Sequence, residues 1–87
     1  SPANIYFSVQ IMALKKKINT SPENFKGEMN IFLIESKEIN RYYSGKFQSF
    51  EEAKKEQERI QKKYKKAFIV AFENNKSISV KKAQGKL

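Results

Sequence analysis

The sequence predicts an α/β (α+β) fold, a β-α-β-β-α-β sandwich of ferredoxin-like topology. It would have a four-stranded antiparallel sheet with both helices on one face and the first helix short. Three observations predict it. Ile5 to Leu14 is a run rich in aromatic and β-branched residues, with Phe7, Val9 and Ile11 alternating against Tyr6, Ser8 and Gln10. Across residues 50–66, Ala53, Gln57, Ile60 and Tyr64 recur at helical spacing. The short apolar runs at residues 31–34 and 67–72 are bounded by polar turn segments, completing the strand–helix order that a split βαβ fold requires.

Residues 1–4 read as the end of a linker, because Pro2 disfavours helical geometry before it and no periodicity has begun. The first strand then runs to Leu14 and stops at Lys15-Lys16-Lys17. Ser21 as N-cap, Pro22 at the first helical position, Glu23 in the first turn and Gly27 as a stop predict a helix of a turn or two. Ile31-Phe32-Leu33-Ile34 is too short for a helix and reads as the second strand. The Glu35-Ser36-Lys37-Glu38 turn leads into a third strand over residues 39–47, antiparallel to the second because the connection is hairpin-sized.

The segment from Arg41 to Ala53 ties this strand to the second helix. Gly45 suits a kink, and Ser49 with Glu52 has the S-x-x-E spacing of a capping box. In that helix, predicted over residues 50–66, Glu51, Glu52, Glu56 and Glu58 lie early and Lys62, Lys63, Lys65 and Lys66 late, which favours the helix dipole. A fourth strand follows at residues 67–72, then a turn at residues 73–76 and a short segment at residues 77–80. The predicted organisation is a linker over 1–4, one domain over 5–80 and a fraying basic tail over 81–87.

Eighteen basic residues against nine acidic ones give a net charge of +9, and every acidic residue is Glu. Such a balance serves solubility and also points to an anionic partner. The chain has neither Cys nor His nor Asp, so disulfides, imidazole or thiolate metal ligands and a nucleophile–His–Asp triad are all excluded. Three scattered glycines form no phosphate cradle. No catalytic residue, metal site or cofactor is therefore expected, and no apolar run has the ~18 residues of a membrane span. A monomeric binding module on a shallow surface is what remains, because a chain this small has little room for a deep cleft.

In the predicted topology the first and third strands lie side by side at the sheet centre, and the sheet face away from the helices is open. Alternation puts Tyr6, Ser8, Gln10 and Met12 on that face from the first strand. From the third it puts Ile39, Arg41 and Tyr43 there, with Tyr42 and Ser44 turned inward. Ser44 is an awkward core residue. Aromatic rings, an amide and a cation on a flat face suit an extended polymer, and two polymers fit. A glycan would lay sugar faces on Tyr6 and Tyr43, hydrogen-bond its acetamido groups to Gln10 or Asn40, and pair any carboxylate with Arg41. Single-stranded RNA would stack bases on the same tyrosines, as in an RRM-like domain. The third strand, however, lacks the basic-Gly-aromatic-Gly-aromatic order of that class. A third reading is a basic protein-interaction module with no polymer ligand.

Val9-Gln10-Ile11, the Arg41 to Phe47 segment with its R-x-x-x-G-x-F pattern, Ser49-Phe50-Glu51-Glu52-Ala53 and Ala67-Phe68-Ile69-Val70 occur here in order. Together they resemble the SPOR domains that bind bacterial peptidoglycan, over about residues 6–80. Asn24-Phe25-Lys26-Gly27 and Tyr42-Tyr43-Ser44-Gly45-Lys46 are similar to a SPOR variant appended to N-acetylmuramoyl-L-alanine amidases of Bacteroidetes-type bacteria. The resemblance implies a non-catalytic module in the periplasm or cell envelope that recognises glycan strands stripped of stem peptides at division septa. Gln10 and Arg41 are the positions it carries over to the binding face. Met12, Ala13 and Ile39 depart from the family's small residue, Ser and aromatic.

Overall fold

The computed structural model describes residues 4–86. Of the expected linker, residues 1–3 lie outside the described residues, as does Leu87 at the end of the expected tail. Strand β1 (Ile5–Leu14) is followed by a single 3-10 turn (Pro22–Asn24), β2 (Ile31–Glu35), β3 (Asn40–Phe47) and helix α1 (Phe50–Ile60). Strands β4 (Phe68–Glu73) and β5 (Lys76–Ile78) and helix α2 (Val80–Gly85) complete the fold. The sheet is antiparallel throughout, in the order β2-β3-β1-β4-β5. The order of its first four strands is that of the ferredoxin-like fold.

A fifth strand extends the expected four. Asn74 and Asn75 both take positive φ, 52° and 68°, the conformation of a two-residue hairpin turn whose twist matches the flanking strands. β5 therefore pairs with β4, setting Ser77 against Phe72 and Lys76 against Glu73. Among the described residues of the expected tail, the chain forms helix α2. Ser79 caps α2 by accepting a hydrogen bond from the Lys82 N–H, and Ala83 is buried against Phe7, Ala53 and Ala71.

α1 begins as expected, with the Ser49 hydroxyl accepting from the Glu52 N–H at 3.2 Å. It ends at Ile60 rather than at Lys66. The Lys63 and Tyr64 N–H groups both return to the Ile60 carbonyl, while the Gln57 and Gln61 amides both donate to the Ala67 carbonyl and pull the chain into β4. The predicted stripe survives this shortening. Ala53 and Ile60 are fully buried, and Ile60 packs with Val9 and Ala67, a burial that contributes about 2 kcal/mol.

The other half of the sheet carries no full helix on its packed face. Phe25, fully buried, drops from the 3-10 turn onto Tyr42 and Ile31, its ring centroid 5.2 Å from that of Tyr42. The Tyr42 hydroxyl accepts the Ile18 N–H at 2.8 Å, so one tyrosine anchors the crossover that a longer helix would otherwise cover. Ser21 precedes the turn without a side-chain cap.

Two β-bulges decide which residues face outward. Between Phe7↔Phe47 and Val9↔Ser44, β3 carries one residue more than β1, at Gly45, whose φ is +76°. Between Gln10↔Tyr43 and Met12↔Tyr42 the extra residue is on β1, at Ile11. The Ser8 hydroxyl, fully buried, donates to the Ser44 and Gly45 carbonyls and pins the first bulge.

Candidate functional site

The open face of the sheet is built by the residues that alternate with the core. On β4, Ile69 and Ala71 pack inward, so Phe68, Val70 and Phe72 stand on the open side, opposite Gln10, Ser8 and Tyr6 of β1. On β2, Ile31 and Leu33 pack inward and Phe32 and Ile34 face out, opposite Tyr43 and Arg41. The face has two distinct ends.

One end is aromatic. Phe32 stacks on Tyr43 (5.2 Å between centroids), Tyr43 meets Phe72 edge-on (5.3 Å), and Phe72 stacks on Tyr6 (5.1 Å). Tyr43 and Phe72 can touch across β1 because the residue between them is the small Ser8. Tyr43 is consequently only 4% exposed, and burial raises its phenol pKa, partly countered by the positive charge of Arg41. Burial also raises that of Tyr6, so both phenols stay neutral donors at ordinary pH.

The other end is accessible. Gln10 is half-buried between Phe68 and Tyr43, Arg41 is exposed beside Ala13 and Ile34, and Phe68 is 48% exposed. An amide, a guanidinium and a bare aromatic ring therefore lie within two strands of one another. Phe68 was missed by sequence reasoning because the run Ala67 to Phe72 is apolar at every position, and no alternation marks its outward side.

Of the residues expected on this face, Tyr6, Gln10 and Arg41 are there and accessible, Tyr43 lies buried within the aromatic row, and Ser8 lies buried beneath it. Met12 does not lie there. The bulge at Ile11 reverses the alternation, turning Met12 against Phe25, Ile31 and Tyr42 and sending Ala13 outward. Asn40 is buried with the parity of Tyr42, and its amide donates to the Lys15 carbonyl, which closes the end of β1. Ile39 precedes β3 in the turn, its N–H and carbonyl both bonded to Ser36.

Charge is segregated across the sheet. The strands carry two carboxylates, Glu35 and Glu73. Both share the inward parity and pair with Lys17 and Lys86. Behind β3, the Arg59 guanidinium spans Glu28 (2.6 Å) and Glu56 (2.8 Å), and Lys63 adds a contact to Glu28 at 2.8 Å. Ser44 donates to the Glu56 carboxylate at 2.6 Å, which satisfies this otherwise awkward core hydroxyl. These cations, Arg59 first, hold the Glu28 carboxyl at about 2.

Among the described residues no cluster of three or more His, Cys, Asp or Glu could hold a metal ion, and no helix is long and apolar enough to cross a membrane. No curated protein and no solved structure matches this chain. The family model for the SPOR domain matches residues 3–71, most of the 87-residue chain, and nothing in the comparisons supports the RNA-binding alternative. With the V-Q-I opening on β1, Arg41 on β3 and an open sheet face between them, the chain belongs to the SPOR domain family and is a non-catalytic, peptidoglycan-binding module.

Proposed function

We propose that the open face recognises peptidoglycan glycan strands stripped of their stem peptides, and that this recognition carries the parent chain to the division septum. The observation that supports this most is the grouping of Gln10, Arg41 and Phe68 on one accessible surface whose strands present no carboxylate. Removing the stem peptide leaves a lactyl carboxylate on alternate sugars, so the denuded strand is a regularly spaced anion. Arg41 supplies the cation for that carboxylate, the Gln10 amide a donor and acceptor for acetamido groups, and Phe68 a flat surface for the apolar side of a sugar ring. An intact strand carries bulky peptides at the same positions, which block the approach of its carboxylate-bearing side to Arg41. The resemblance to amidase-appended variants makes a cell-wall amidase the parent we favour, acting in the periplasm or envelope, with this domain monomeric.

The experiment is co-sedimentation of the 87-residue chain with peptidoglycan sacculi, untreated or denuded by amidase. Retention on denuded sacculi well above that on untreated ones is expected, and equal retention by both, or by neither, would sink the reading. Arg41→Ala and Phe68→Ala should each lower retention several-fold with a thermal midpoint near that of the parent, because exposed strand residues contribute little to stability.

A further inference from the structure

We propose that Lys46 forms a second carboxylate-binding point on the open face, so that Arg41 and Lys46 together engage two successive lactyl carboxylates of one denuded strand. This inference rests on the glycan reading above and adds to it a site at the aromatic end of the sheet.

Regular alternation along β3 from Tyr43 would turn Lys46 into the core and Phe47 outward. The bulge at Gly45 reverses this. Phe47 packs inward opposite Phe7, and Lys46 rises onto the open face. There its ammonium lies 4.8 Å from the centroid of Phe32 and 5.3 Å from that of Tyr6. Ring quadrupoles hold a cation in place but carry no net charge, so the ammonium is oriented without being neutralised. Lys46 makes no ion pair among the described residues, and neither does Arg41.

Among the described residues these two are the only cations that the strands place on this side, since Lys76 shares the inward parity of its partner Glu73. They stand five positions apart on β3, one of which the bulge absorbs, giving a separation of roughly 13 Å along the strand. Two cations without a carboxylate partner, on a side where the strands present no carboxylate, favour a ligand with repeated anions over one with a single charge. Beyond Lys46 and Tyr6 the sheet end opens into a shallow recess of about 520 Å³ that also has Gln48 and Asn75 on its wall. Those amides suit the hydroxyl and acetamido groups of the sugar next to the bound carboxylate.

The test uses one synthetic denuded glycan of two disaccharide repeats, as the free acid and with both lactyl carboxyls converted to carboxamides, titrated calorimetrically. Lys46→Gln should weaken binding of the acid about three- to five-fold and leave the carboxamide unchanged, and Lys46→Arg should restore the loss. Equal loss on both forms, or none on either, overturns the second site, while a persisting effect of Arg41→Gln on the acid keeps the glycan reading intact. A parent chain that binds neither form overturns both.

Discussion

At Gly45 a φ of +76° coincides with a close approach of the Phe47 ring, onto which any Cβ added there would fall. Left-handed backbone and lack of space each exclude a side chain, so Gly45→Ala is expected to cost about 1–3 kcal/mol in chemical denaturation. The same change should lower retention on denuded sacculi, because the bulge is what lifts Lys46 outward. A glycine at this point of R-x-x-x-G-x-F reads as a kink from sequence alone. That the kink reverses the parity of Lys46 and Phe47 was not legible there, because it depends on which residue of β1 lies opposite. Ser44 is similar, since its partner Glu56 comes from the next element and is reached only when α1 packs on β3.

The elements themselves were largely legible. β1 has the bounds its alternation predicts, and α1 starts at its cap, because both signals are local. Where they differ, bonds that no periodicity marks decide: two glutamine amides on the Ala67 carbonyl draw the chain out of α1 after Ile60, and the Ile11 bulge ends the alternation of β1 at Gln10. The ion cluster behind β3 joins three elements through Glu28, and its pH behaviour follows from the shift. Glu28 is 7% exposed and its carboxyl is held at about 2, below its unfolded value, so the folded state keeps the charge where the unfolded chain takes up a proton. That contribution is complete above about pH 5 and is lost as the pH falls toward 2. Because Arg59 and Lys63 are themselves partly solvated, its size is on the order of 2 kcal/mol. Urea denaturation should show Glu28→Gln less stable by about that amount at pH 7, with the difference shrinking toward zero near pH 2.

Across the whole molecule, the family match stops at residue 71, yet the packed unit does not. β5 and α2 lie beyond it, and Ala83 sits in the same cluster as Phe7, Ala53 and Ala71. Deleting residues 79–87 should therefore destabilise the domain by about 1–2 kcal/mol, a fall of roughly 5–15 °C in Tm by calorimetry, and an unchanged Tm would show α2 to be dispensable. The order of the first four strands with α1, the lack of His, Cys and Asp, and the SPOR resemblance were determined by the sequence, because each rests on residue identity and short-range spacing. Which side chains form the ligand face was decided only by tertiary structure. Parity along a strand is a cumulative count, and one inserted residue reverses everything beyond it. The two bulges, at Ile11 and Gly45, turn Met12 inward and bring Lys46 out, while β4 pairing adds Phe68 to the open face beside Gln10 and Arg41.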